Sequence, residues 1–146
     1  MRALRHQSVA IAQPADAVFR AALGTVQSAK GTTILAVHNE GRKLVAREKS
    51  MMSNPKLVQI WIEGDETSAE LNVAVGSDPR SPKALLDGKA NEKSLAKLVE
   101  AIQSGGAAPT PVANHYLVKK TEVPWTDPAE DPQIELDGTL LALYGR

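Results

Sequence analysis

Apolar and polar residues follow one another along the first hundred positions in runs that read as a sequence of elements. Residues 8–12 alternate, with Val9 and Ile11 on one face, as a half-buried strand does. Pro14 ends that run. Residues 15–29 then place Val18, Phe19, Ala22, Leu23 and Val26 on one helical face, with Asp16 at the positive end of the helix dipole and Lys30-Gly31 as a stop. Residues 32–38 are β-branched and apolar, Asn39-Glu40-Gly41 is a turn, and residues 43–49 return as a partner strand. In residues 57–63, Val58, Ile60 and Ile62 share one face, while Leu57, Gln59, Trp61 and Glu63 share the other. After the turn at Gly64-Asp65-Glu66, Ala69, Leu71, Val73 and Val75 alternate with Ser68, Glu70, Asn72 and Ala74. The pattern predicts an antiparallel meander with one core face and one mostly polar face. Beyond the breakers Pro79 and Pro82, Asn91 is placed to cap a helix over residues 92–103, whose Leu95, Leu98, Val99 and Ile102 recur at i, i+3, i+4 and i+7. The expected fold class is α+β: an antiparallel sheet covered by two helices in the order β-α-β-β-β-β-α.

Composition divides the chain near Gly105-Gly106. Residues 1–104 form the expected α+β domain, and residues 105–146 an extended C-terminal arm that holds five of the nine prolines. Acidic residues predominate in the arm and basic ones in the body, so the arm is expected to dock on the sheet or on a neighbouring subunit. The whole chain of 146 residues carries 17 basic and 17 acidic side chains. That balance argues against a nucleic-acid or anionic-membrane partner. No apolar run is long enough to span a bilayer, and no secretory leader is visible in the first residues. The absence of cysteine removes disulfides, thiolate zinc sites and thiol catalysis, and a cytoplasmic setting fits.

Residues 8–23, reading SVAIAQPADAVFRAAL, resemble the opening of helix-grip proteins of the START/Bet v1-like superfamily: a strand, a proline-containing turn, and a helix with a Val-Phe pair, here Val18-Phe19. The resemblance implies that the sheet grips the final helix, here residues 91–103, around a ligand cavity. The layout departs from the family in having fewer strands after the first helix and a shorter final helix. A smaller β-α-β4-α layout, as in half of a TATA-binding-protein-like fold, is similar in element count.

Candidate chemistry is sparse. His6, His38 and His115 show no metal-ligand spacing, and no metal or cofactor is expected. His38 with Glu40 and Glu48 across the hairpin is the one candidate acid/base cluster, and relatives of the cyclase or hydratase kind make it worth testing. Glu63, Asp65 and Glu66 surround a turn glycine and read as a solvated turn. Lys43, Arg47, Lys49 and Lys56 read as a basic sheet edge, with too few aromatics nearby to stack bases. Met51-Met52 read as ordinary loop packing or a lip over a pocket. Three functions are therefore open. The leading one is a non-enzymatic interaction or assembly module, partnered by itself or another protein. Its expected contacts are Leu57 and Trp61 on the sheet, with Tyr116, Trp125, Leu140 and Tyr144 from the arm. The second, implied by the helix-grip resemblance, is a carrier of a small apolar ligand lined by Val18, Phe19, Ala22, Leu95, Leu98 and Ile102. The third is an enzyme using His38.

Overall fold

The computed structural model describes residues 1–49 and 54–143. Its first seven elements follow the expected order: β1 (Arg2–Ile11), α1 (Ala15–Ser28), β2 (Thr32–His38), β3 (Lys43–Glu48), β4 (Lys56–Gly64), β5 (Ala69–Ser77) and α2 (Asp87–Gln103). The remainder forms β6 (His115–Val118), β7 (Thr121–Pro124), β8 (Glu135–Leu136) and β9 (Thr139–Leu140). The nine strands among the described residues join one sheet, ordered β1-β5-β4-β3-β2-β6-β8-β9, with β7 paired to β6. Every pairing is antiparallel except that of β6 with β8. The residues after α2 are thus partly regular: β6 continues the sheet beyond the edge of β2 through Ala36 and Val37.

Two elements begin earlier than the hydrophobic pattern indicates. β1 starts at Arg2 because its backbone pairs with β5 as far as Ser77, which needs no apolar alternation in residues 2–7. α2 starts at Asp87, so Asn91 is inside the helix and does not cap it. Its side chain is buried and donates to the Ala3 carbonyl at 3.0 Å and to Ser77 Oγ at 3.1 Å. A buried amide is kept only when it is hydrogen-bonded, and here it tethers α2 to β1 and β5.

The sheet has two apolar faces. On the inner face, Val18, Phe19, Ala22 and Val26 of α1 and Leu95, Val99 and Ile102 of α2 pack on Leu44, Val58, Ile60, Leu71 and Val73. On the outer face, Leu35, Ala36, Val45 and Leu57 pack against Trp125, Ile134 and Leu141 from the C-terminal segment. The expectation of a mostly polar outer face is corrected here: Leu57 is fully buried. Part of the reason is a bulge in β2 between Ile34 and Ala36. It breaks the alternation, so Leu35 and Ala36 both face outward while Ile34 and Val37 face the helices. The chain also runs close over α1 after α2 ends: a Cβ on Gly24 would lie 1.7 Å from the Ala107 carbonyl oxygen, so only glycine fits there.

Ile134 is completely buried in the outer core. Ile134→Ala is expected to lower unfolding stability by about 2–4 kcal/mol, the range for large-to-small core substitutions. Urea denaturation of the two proteins checks this, and a loss below about 0.5 kcal/mol would mean that the segment does not cover the sheet in solution.

Candidate functional site

Where α2 passes the last turn of α1 and the adjoining ends of β3 and β4, an open groove of about 710 Å³ remains on the inner side of the sheet. Ala29, Ala90, Leu98 and Ala101 contribute apolar surface, and Lys30, Lys56, Lys93 and Lys97 contribute cations. Glu48 is the acidic member and lies 3.9 Å from Lys56 Nζ. Lys93 and Lys97 are four apart on α2 and so sit on one helix face. Ser94 lies between them in sequence and also lines the groove, whereas the Thr25 hydroxyl is spent on the Ala21 carbonyl at 2.7 Å. Small residues on both helices leave the space. The stems of Lys30, Lys93 and Lys97 add apolar surface of their own while keeping their ammonium groups in water, whereas Lys56 is buried beside Glu48.

The six residues expected to line a cavity divide between core and groove. Val18, Phe19, Ala22, Leu95 and Ile102 belong to the closed inner core, and only Leu98 reaches the groove.

 Leu95, the most exposed of the core five, still shows only 6% of its surface. The expected interaction residues divide as well. Leu57 and Trp125 are buried in the outer core, and Tyr116 packs beside them half-buried. Trp61 is half-buried and stacks on His6 with ring centroids 5.4 Å apart and 13° between planes. Leu140 is exposed. Tyr144 and the Met51-Met52 pair lie outside the described residues.

The histidine cluster does not assemble. His38 pairs with Lys43 at one end of the β2–β3 hairpin, while Glu48 pairs with Thr32 at the other. His38 is buried, and its Nδ1 accepts the Gly41 N–H at 2.9 Å. That places the ring proton on Nε2, which donates to the Thr126 carbonyl at 3.0 Å. The imidazole also meets Trp125 edge-on at 5.5 Å, so Nε2 and the ring anchor the C-terminal segment to β2, while Nδ1 holds the Gly41 turn. Glu40 accepts a hydrogen bond from Asn114 Nδ2 at 2.7 Å, a further tie to the same segment. Asp65 accepts from the backbone and hydroxyl of Thr67 and the backbone of Ser68, which lowers its pKa and accounts for it as a turn residue. Among the described residues, no group of three or more His, Asp or Glu side chains is placed to hold a metal ion.

The strongest electrostatic feature was not legible in the sequence. Asp78, at the end of β5, is 1% exposed and receives two arginines. Arg80 donates from its backbone N–H and Nε to Oδ1, both at 2.9 Å, and from Nη2 to Oδ2 at 2.5 Å. Arg47 donates Nε to Oδ2 at 3.0 Å. Arg80 then reaches Asp137 in the C-terminal segment at 2.7 Å, while Arg2 of β1 bonds the Asp78 carbonyl at 3.1 Å. Burial by itself raises the pKa of the Asp78 carboxyl. The hydrogen bonds from Arg80 and Arg47 and the charge of Arg80 outweigh it and hold the pKa at about 2. Only the spacing of Asp78 and Arg80 hinted at this; the Arg47 partner comes from a strand 31 residues away.

Comparison with solved structures returns proteins of the helix-grip kind. The crystal structure of BexL, a di-domain ARO/CYC protein from the BE-7585A biosynthetic pathway, matches with a TM-score of 0.54 at 10% identity. The match covers 72% of this chain and 46% of that one, so the chain spans about half the length of that protein. The Zhui aromatase/cyclase from Streptomyces sp. R1128 gives a TM-score of 0.45 at 15% identity, covering 70% of this chain and 90% of the other. A START superfamily protein from Mycobacterium smegmatis gives 0.42 at 16%, covering 69% and 94%. No protein-family model matches the chain, and no curated protein does. The likeness is one of fold: the sheet and helices have the START/Bet v1-like helix-grip arrangement that residues 8–23 resemble.

In the unfolded chain Asp78 titrates near its ordinary 3.8, so on acidification the unfolded state takes up the proton first. Stability supplied by this carboxylate is therefore complete above about pH 4 and lost as pH falls through the folded value of about 2. Asp78→Asn is expected to cost about 3 kcal/mol at neutral pH, because it leaves the half-buried Arg47 and Arg80 donors without their anion. Urea titrations from pH 6 to pH 2 are expected to show this gap narrowing by about 2 kcal/mol below pH 4. A gap independent of pH would assign the loss to packing instead.

Proposed function

We propose that this protein binds a small amphipathic molecule, apolar in its body and acidic at one end, in the groove between α2, α1 and the ends of β3 and β4. The observation that carries the reading is the composition of that groove: alanine and leucine surface beside four lysines and a single glutamate. Apolar surface supplies affinity without direction, and the lysines select for a carboxylate, sulfate or phosphate group. The fold adds support, since it is shared with BexL, which is named as an ARO/CYC protein of a biosynthetic pathway. Binding without turnover is the reading the groove favours. Its titratable lining consists of lysines and Glu48, and His38 is committed to backbone partners elsewhere. The assembly-module reading has less support, because Leu57 and Trp125, two of its expected contacts, are covered within this chain.

Laurate is a suitable probe, with dodecanol as the uncharged control. Isothermal titration is expected to show saturable laurate binding that falls about tenfold in a Lys93→Glu/Lys97→Glu variant, as two reversed charges at exposed sites allow. Ser94→Trp, which fills the groove from a half-buried helix position, is expected to abolish binding with little change in thermal stability. No saturable binding to the unmodified protein, or equal binding by the Ser94→Trp variant, would overturn the assignment.

A further inference from the structure

A second concavity, of about 690 Å³, opens on the opposite face of the sheet. Its lining combines the outer side of β2 and β3 with three parts of the C-terminal segment: β6, the turn into β7, and the turn between β8 and β9. Leu35, Leu117 and Leu136 give it apolar surface that is continuous with the outer core. Arg47 and Arg80 enter from the body, and Lys119 and Lys120 from the β6–β7 turn. Asp137 is the acidic member of the lining. Its carboxylate is 83% exposed and already engaged by Arg80. Asp78 sits buried behind the two arginines, so it holds their guanidinium groups in place rather than facing the opening.

The geometry points to a second ligand site here, for a compact apolar carboxylate that lies on the leucines and turns its acidic group toward the arginines and Lys119-Lys120. Three features support it together. The arginines are pre-positioned by a buried carboxylate, so little side-chain freedom is lost when an anion arrives. Lys119 is held by its own backbone: its φ is +61°, and its N–H donates to the Glu135 carbonyl at 2.6 Å. The turn opposite has Asp137 at φ +49° followed by Gly138 at φ +79°, which keeps the far wall low, with no side chain on the glycine. Asp78 and Asp137 balance the two arginines, so the surplus positive charge is that of Lys119 and Lys120; an uncharged ligand would leave it unused, and a cationic one would be repelled by it. The site is independent of the α2 groove: the sheet separates them, and they share no lining residue.

The test uses the full-length Ser94→Trp protein, in which the α2 groove is filled, and octanoate as the probe. Titration followed by amide NMR is expected to shift the signals of Leu117, Leu136 and Gly138 saturably. Octylamine is expected to leave them unmoved, and octanol to act about tenfold more weakly. Adding Lys119→Glu and Lys120→Glu, both on exposed turn positions, is expected to weaken octanoate about tenfold with an unchanged melting temperature. The inference is overturned if octanoate causes no saturable shifts at those amides, or if the double charge reversal leaves its affinity unaltered. Because the first groove is blocked throughout, failure here leaves the α2 reading standing, and failure of the α2 reading leaves this one open to support.

Discussion

A sheet with apolar side chains on both faces has to be covered twice, and the rest of this structure answers that requirement. The helices cover the inner face with Val18, Phe19, Leu95 and Ile102. They cannot reach the outer face, where Leu35, Val45 and Leu57 of β2, β3 and β4 belong to one apolar cluster. Leaving three such residues in water would forfeit several kcal/mol of transfer free energy. Trp125, Ile134 and Leu141 supply the second cover. Their segment is held by backbone pairing of β6 to β2 and by His38, whose two nitrogens bridge Gly41 and Thr126. Proline-rich backbone suits the task, since it is extended and loses little freedom on docking.

Asp78 plays the corresponding part among the polar groups. A buried carboxylate is stable only when its lone pairs are filled, and here Arg47 and Arg80 fill them. Because Arg80 also binds Asp137, and Arg2 binds the Asp78 carbonyl, one residue connects the first strand, the middle of the sheet and the C-terminal segment. The same arrangement fixes two guanidinium groups at the edge of the outer concavity.

The site was less legible than the fold. Expected lining residues were chosen from the apolar face of each helix, and that face is the one a solid core consumes; five of the six are in the core. What opens a groove is the neighbouring strip of each helix, where Ala29, Ala90, Ala101 and the lysines are too small or too soluble to fill the space. Periodicity cannot distinguish such a strip from ordinary solvent-facing surface. The supposed His38–Glu48 cluster failed for a related reason: hairpin register, not residue type, decides which side chains meet, and it set them at opposite ends.

Local patterning alone determined the element order through α2, the α1 boundaries to within a residue, and the inner core, because helix and strand periods are properties of short stretches of chain. Non-local energetics decided the rest. The early start of β1 depends on pairing with β5, and the placement of Asn91 depends on acceptors at Ala3 and Ser77. The fate of Leu57 depends on Ile134 and Trp125, more than sixty residues downstream. Each of these is a contact between distant positions, and no window of sequence contains both partners.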